Sequence, residues 1–415
     1  MRQFPSLAAV LAVLIVLLPA VGRAGETLRV GSASELQQIL KTPSSGLTIE
    51  LAGGEYGILS LRNRDFGGDD AVVLRSADAG SPARFSGMTL RRVKNLVIEG
   101  VVFDYRFQTG DKLRLRPFDI ANSQNIRIRD TLFDGDTARG LTAADNGFGA
   151  AFGLSVRDVS GLTLENSEIR DFYKGLVISQ SRDVTVRNND LHSMRMDGMN
   201  FAGVENVLIE SNRIHDFARS PESKDHADMI QFWTKGTETP SVDVTIRGNL
   251  LNSGQGLYTQ SIFVRNQEVD QGRAGAEMFY RNFTIEQNVI VNAHLHGITV
   301  GETDDLVIRA NTVVRNARSL DPRKGMGRWT PMIRIAETAR NVRILSNVVP
   351  KIVGHGGQRD WQVEDNFIVQ NNGRGLAGFY GAVFAGDPAD PAAFRYRRGG
   401  PLDGAGIGAA RLQPR

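Results

Sequence analysis

Residues Asn206 to Trp233 read NVLIESNRIHDFARSPESKDHADMIQFW. The first half alternates apolar and polar residues behind a turn-forming residue and reaches an asparagine six positions on, at Asn212. The same pattern starts at Asn95 (NLVIEG), Asn125 (NIRIRD), Gly161 (GLTLEN), Asp183 (DVTVRN), Asp243 (DVTIRG), Asn282 (NFTIEQ), Asp305 (DLVIRA), Asn341 (NVRILS) and Asp360 (DWQVED). Period-two alternation predicts strands. The shortest spacing between starts, roughly twenty residues, is that of solenoid coils. Longer intervals are coils carrying an inserted loop.

Asn189, Asn212, Asn249, Asn288, Asn311, Asn347 and Asn366 occupy one place in successive repeats. Parallel strands stack about 4.8 Å apart, so amides at a constant position lie over one another and can bond along the stack. No interval holds an amphipathic helical run of ten or more residues, which sets a helical solenoid aside. The expectation is an all-β parallel β-helix over residues 25–372, with its cap and first coil in 25–60 and a closing tail in 373–415.

Residues 1–24 read as a signal peptide: Arg2, the apolar LAAVLAVLIVLLPAV, then the small-residue site Gly22-Arg23-Ala24. The apolar run is short for a membrane span and is broken by Pro19. The expected location is therefore periplasmic or secreted, without stable membrane insertion after cleavage. The chain has no cysteine, so stability rests on burial and not on disulfides. The formal charge is +3, and removing Arg2 and Arg23 leaves +1, which gives nucleic-acid binding no support. A capped solenoid of this kind is expected to be a monomer.

GSASELQQILKT, from Gly31, predicts a short capping helix with Ser32 and Glu35 as a capping box. This helix, followed by TIELAGGEYGILSL, AVVLRSADAG and NLVIEGVVF, resembles the opening of β-helical polysaccharide lyases of the alginate lyase and chondroitinase B type, and of mannuronan C5-epimerases. The resemblance implies a right-handed, pectin-lyase-like β-helix that acts on carbohydrate. The lysine–arginine pair beside calcium of those lyases finds no position-by-position match here, and the epimerases' Asp-Pro-His motif is absent. Mechanism must come from the residues.

A second strand precedes each repeat start, and aligning these strands gathers the chemistry. Lys174, Asp197, Asp228, Gln260 and His296 stand two positions before their strands' first apolar residues. Arg195, His226, Tyr258, His294 and Trp329 stand two further back. Asn200 and Gln231 point outward within the strands, and Trp233 and Arg265 follow them. His226, in DHADMIQFW, is the expected proton-transfer group, with Asp225 or Asp228 to orient it. Tyr258, His294, Lys174 and Arg265 complete the expected catalytic set. Asn200, Gln231, Trp233, His296, Arg195 and Trp329 are expected to bind substrate, joined by Arg114 and Arg116 of the basic insertion YRFQTGDKLRLRP. Asp197, Asp228 and Asp225 are candidate calcium ligands; no cofactor beyond that ion is expected.

The expected partner is an acidic, uronate-containing polysaccharide, and the expected reaction is β-elimination. C5 epimerisation, hydrolysis by paired carboxylates and non-catalytic exopolysaccharide binding are the alternatives on the same scaffold.

Overall fold

The computed structural model describes residues 25–42, 45–67, 70–254, 259–316 and 330–414. The signal-peptide reading, Tyr258 and Trp329 therefore lie outside the described residues.

Three parallel ladders build a right-handed β-helix. The repeat ladder holds the strands read from the sequence, among them Ser160–Glu165, Arg182–Arg187, Glu205–Glu210 and Val242–Arg247. A short ladder follows, through Glu168–Arg170, Asp190–His192, Arg213–His215 and Leu250–Asn252. The groove ladder precedes each repeat, with Phe172–Ser179, Met199–Ala202, Ala227–Trp233 and Thr259–Arg265. The long strand Gly87–Glu99 pairs within both the groove and repeat ladders.

Nine of the ten repeat starts have a left-handed backbone, with φ from 50° to 76°. That conformation suits asparagine, aspartate and glycine, which explains why only these residues open a repeat. Asp360 does not share it, and its carboxylate accepts from the backbone N–H of Asn341 at 2.8 Å.

Behind each start, alternate residues enter the core. Leu162, Val184, Val207 and Val244 stack in register as one apolar column, and Ile169, Leu191, Ile214 and Leu251 as another. Between the two columns runs the asparagine ladder. Asn189, Asn212, Asn249, Asn288 and Asn311 each donate from Nδ2 to the Oδ1 of the next, and Asn347 to Asn366, at 2.9–3.0 Å. The same Oδ1 accepts a backbone N–H, and Nδ2 also donates to a carbonyl, as from Asn212 to Val186. A buried amide so placed is fully satisfied, which neither aspartate nor leucine would be.

The outer face of the repeat ladder carries a feature the sequence analysis did not extract. Arg29, Glu50, Arg75, Glu99, Arg129, Glu165, Arg187, Glu210, Arg247, Glu286 and Arg309 form one column in register, alternating in sign at every step. Ion pairs close within it, including Arg129–Glu99 at 2.8 Å, and Arg187–Glu165 and Arg247–Glu210 at 2.6 Å. Each pair is worth little alone, but a slip of one coil would set like charges over one another along the whole column.

At the amino end, helix α1 (Ala33–Ile39) buries Leu36 against the first coils, and Leu40 behind it is also buried. The Ser32 hydroxyl caps the Glu35 N–H, and Glu35 returns its carboxylate to the Gly31 N–H. The carboxyl tail lies along the outer face of the short ladder. Phe384, Phe394, Tyr396, Leu402 and Leu412 cover Leu250, Val289, Val291, Val314 and Val348. Polar ties fasten it, with Tyr396 Oη 2.5 Å from Thr312 Oγ1 and the Ala410 N–H on Gln287. The physical reason is that outward positions on this ladder change from Glu168, Arg170, Asp190 and His192 to valines and a leucine, and apolar outer positions require a cover. No helix among the described residues is long and apolar enough to cross a membrane.

Candidate active site on the groove ladder

Lys174, Asp197 and Asp228 stand on consecutive coils. The Gly175 N–H bonds the Asp197 carbonyl at 2.9 Å, and the Gly198 N–H bonds the Asp228 carbonyl at 2.8 Å. Asp197 and Gly198 are thus tied to the neighbouring coils just before the strand Met199–Ala202. Glycine is needed at 198 because a Cβ there would stand 2.7 Å from the Met229 carbonyl oxygen. Met229 and Ile230 are both buried in the core, which breaks the alternation. The break turns Asp228 onto the same outer face as Gln231, whose Nε2 donates to Asp228 Oδ2 at 2.7 Å.

A continuous polar network results. Lys174 Nζ lies 2.7 Å from Asp197 Oδ2, and Asn200 Nδ2 donates to that same oxygen at 3.0 Å and to Gln231 Oε1 at 2.8 Å. The Asp228 N–H donates to Asp197 Oδ1 at 3.1 Å. His226 Nδ1–H donates to Asp228 Oδ2 at 3.0 Å. Both carboxylates are fully buried, whereas the imidazole is half exposed, 51%. Burial pushes the Asp228 carboxyl up to about 6, and its hydrogen bond raises the His226 imidazole above its usual value.

Trp233 stands beside this network with Lys174 Nζ 5.3 Å from its ring centroid, a cation–π contact. His294 and His296 stack at 5.1 Å, and His296 Nδ1 is 2.7 Å from Thr299 Oγ1. Burial depresses both, His294 to about 3 and His296 to about 4, with the positive charges of His226 and of Arg219 or Arg334 adding to the effect.

The loop before His226 is fastened by arginines. Arg219 donates to the Asp225 and Ser223 carbonyls. Arg195, 2% exposed, lies 2.7 Å from Asp145 and 3.2 Å from Asp225, under the Tyr173 ring at 5.1 Å. The basic insertion reaches the same ring. Arg114 covers Tyr173 at 5.6 Å and donates to its hydroxyl at 3.3 Å, and Arg116 covers Phe152 at 5.5 Å. These two rings stack 6.2 Å apart on neighbouring strands. The insertion backbone is fixed there by the Ala151 and Phe152 N–H groups on the Leu113 and Leu115 carbonyls.

The structure thus joins His226, Asp228, Lys174, Asp197, Asn200, Gln231 and Trp233, with Arg114 and Arg116 flanking them. Two other expected members are engaged by neighbouring charges, Arg265 although it stands in register beside Trp233. Arg265 pairs with Asp270 at 2.7 Å, because the short helix Gln267–Asp270 turns back onto its strand. Asp225 is held by Arg195, outside the group of Asp197, His226 and Asp228 whose donor atoms all lie within 4.8 Å of one another. Sequence reasoning missed Tyr173 and Asp145. Tyr173 stands next to Lys174 and so was within reach; Asp145 lies in a glycine-rich loop with no periodic signal.

Calcium takes roughly six to eight oxygen ligands. Here both Asp197 oxygens, Asp228 Oδ2 and Gln231 Oε1 already accept hydrogen bonds, while Asp228 Oδ1, Asn200 Oδ1 and, on the next coil, Gln260 Oε1 have no donor among the described residues. With an ammonium and two amide groups turned into it, this donor set does not fit calcium.

Comparison with curated protein sequences finds no match. Among solved structures, the chain is similar to the Dettilon tailspike protein gp208, at 13% identity and a TM-score of 0.53, over 83% of this chain and 63% of that one. It is also similar to the family 6 alginate lyase AlyGC, at 13% identity and a TM-score of 0.43, covering 94% and 57%. The surface adhesin PfbA of Streptococcus pneumoniae gives 14%, 0.43, 80% and 76%. At these identities the likeness is one of fold. The right handed beta helix region family matches residues 148–372, more than half of the chain and the stretch from Lys174 to Trp233 that holds the polar network, and the chain belongs to that family.

Proposed function

We propose that the chain is an exported enzyme that removes the C5 proton of a uronate in an acidic polysaccharide and cleaves the chain by β-elimination. The observation that carries this reading is the His226–Asp228 pair, in which a wholly buried carboxylate holds Nδ1–H of a half-exposed imidazole. Nδ1 is thereby the protonated nitrogen, and Nε2 becomes the basic atom offered to the groove. Asp228 stabilises the imidazolium that forms.

The C5 proton is acidic enough only when the adjacent carboxylate is neutralised. Arg114 and Arg116 support this step, since both are exposed, lie on aromatic rings beside the Lys174 coil and show no ion pair to a carboxylate among the described residues. Lys174 is a weaker candidate, its charge being matched by Asp197. As the C5–H electron pair forms the C4=C5 double bond, the C4–O bond breaks, and the leaving oxygen needs a proton. The His226 imidazolium supplies it when both events occur on one face of the sugar. Hydrolysis is less well supported, because both buried carboxylates are held by N–H donors and neither is presented to a glycosidic bond.

Proton NMR of uronate oligosaccharides incubated with the protein in deuterated water tests the reading. Elimination gives the vinylic H4 signal of an unsaturated end. Deuterium at C5 without cleavage would indicate epimerisation, and unchanged spectra across alginate, pectate and glycosaminoglycan oligosaccharides would reject proton abstraction on them.

A further inference from the structure

Asp197, His226 and Asp228 have the make-up of a metal site: two carboxylates and an imidazole, with their donor atoms within 4.8 Å of one another and both carboxylates fully buried. Two uncompensated carboxylates in such a place would be strongly unfavourable. The group that compensates them is on the adjacent coil. Lys174 Nζ stands 2.7 Å from Asp197 Oδ2, its side chain 14% exposed and its ammonium against Trp233. Two further acceptors in this cluster, Asp228 Oδ1 and Asn200 Oδ1, belong to fully buried residues and have no donor. They are oxygens left over in a polar nest already holding one cation.

We propose that the Lys174 ammonium is an internal substitute for a bound metal ion, so that the native protein leaves this site metal-free and removing the ammonium converts it into a divalent-cation site. The ligands then available are Asp197, Asp228, His226 and the Asn200 carbonyl oxygen. A mixed set of carboxylate, amide oxygen and imidazole suits Mn2+, which accepts both oxygen and nitrogen donors. The ammonium excludes the ion in two ways: it takes up the Asp197 oxygen, and it repels a second cation placed a few ångströms away. Lys174→Arg retains the charge and so retains the exclusion. The inference does not depend on the proposed reaction, because its readout is binding.

The experiment is titration of the full-length mature protein with Mn2+, followed by electron paramagnetic resonance of the free ion and by calorimetry. The wild type and Lys174→Arg are expected to show no specific binding. Lys174→Ala is expected to bind one Mn2+ per chain, with a gain in affinity on the order of a hundredfold, the scale set by removing one positive charge a few ångströms from the ion. Adding Asp197→Asn to Lys174→Ala is expected to abolish that gain. A folded Lys174→Ala protein with no gain overturns the proposal, and so does wild-type Mn2+ binding that Asp197→Asn removes. If the Lys174 variants do not fold, the wild type alone decides: paramagnetic broadening of the Asp197 and Asp228 amide signals at low Mn2+ overturns the proposal, and their persistence upholds it.

Discussion

His226 and Asp228, two residues apart in sequence, meet through Nδ1 and Oδ2 at 3.0 Å, with the carboxylate wholly buried and the imidazole half in solvent. The contact exists because Met229 and Ile230 both enter the core, so that the strand returns Asp228 to the outer face just after the loop delivers His226. A buried anion paired with an exposed ring is an arrangement that fixes a tautomer and leaves one nitrogen to act.

Asp228→Asn should therefore leave the fold intact and lower turnover roughly a hundred- to ten-thousandfold, the range for a general base that loses its orienting carboxylate. The pH profile gives the sign. Hydrogen bonding to Asp228 holds the His226 pKa above its ordinary value. Wild-type activity should accordingly rise with pH through a limb above that value, as the ring becomes neutral. In Asp228→Asn the residual activity should show this limb at lower pH; an unmoved limb would assign it to another group.

Replacing Arg187 by glutamate places a third carboxylate between Glu165 and Glu210 in the outer charge column. The expected loss of stability is on the order of 1–2 kcal/mol, since opposite-charge pairs are removed and like charges opposed. It should shrink at high salt, and adding Glu165→Arg should recover part of it. Thermal unfolding at two ionic strengths reads all three outcomes.

Asn249→Ala interrupts the asparagine ladder where Nδ2 of Asn212 donates to Asn249 Oδ1 and Asn249 in turn donates to Asn288. The Asn212 N–H loses its acceptor as well. Each orphaned buried donor costs about 1–3 kcal/mol, so a drop of several kcal/mol is expected, larger than for any exposed substitution on the same coil. Denaturant unfolding measures it.

His294 and His296 are expected to cost stability in acid. Their folded pKa values lie below the ordinary 6.5, near 3 and 4, because burial disfavours the charged ring and because His226, Arg219 and Arg334 oppose further positive charge. Below pH 6.5 the unfolded chain binds protons that the folded chain refuses, so stability is lost as pH falls through the window from 6.5 towards 4 and then 3. Asp228 acts oppositely: its raised pKa makes its contribution largest at low pH, and it diminishes as pH rises towards 6. His294→Gln should flatten the loss of thermal stability between pH 6.5 and 4, and an unchanged slope would show that the ring is not neutral in the native protein.

The coil pattern was legible because each repeat start needs a left-handed residue and each ladder asparagine a buried amide, and both leave a letter at a fixed position in the chain. Lys174, Asp197, Asp228, Asn200 and Gln231 could be brought together by counting from apolar positions, since hydrogen-bonded register carries the count from coil to coil. The same count sets Arg265 beside Trp233, but it reaches neither the ion pair of Arg265 nor the position of Asp225. Asp225 lies in a loop whose path is set by Arg195 and Arg219, and Arg265 is turned aside by Asp270 on a helix four residues long. The course of the tail was written in the apolar outer positions Val289, Val291 and Val314, a signal visible only once the short ladder's two faces are distinguished. The alternating column of arginines and glutamates needed the register across inserted loops, which repeat spacing alone does not supply.

The most direct test of the account is the ultraviolet absorbance of unsaturated uronate during incubation of the protein with alginate, pectate, glycosaminoglycans and bacterial acidic exopolysaccharides, beside His226→Ala. The account predicts a rise on at least one polymer, unaffected by chelator and absent from the variant. No rise on any of them, or an equal rise with His226→Ala, would contradict it.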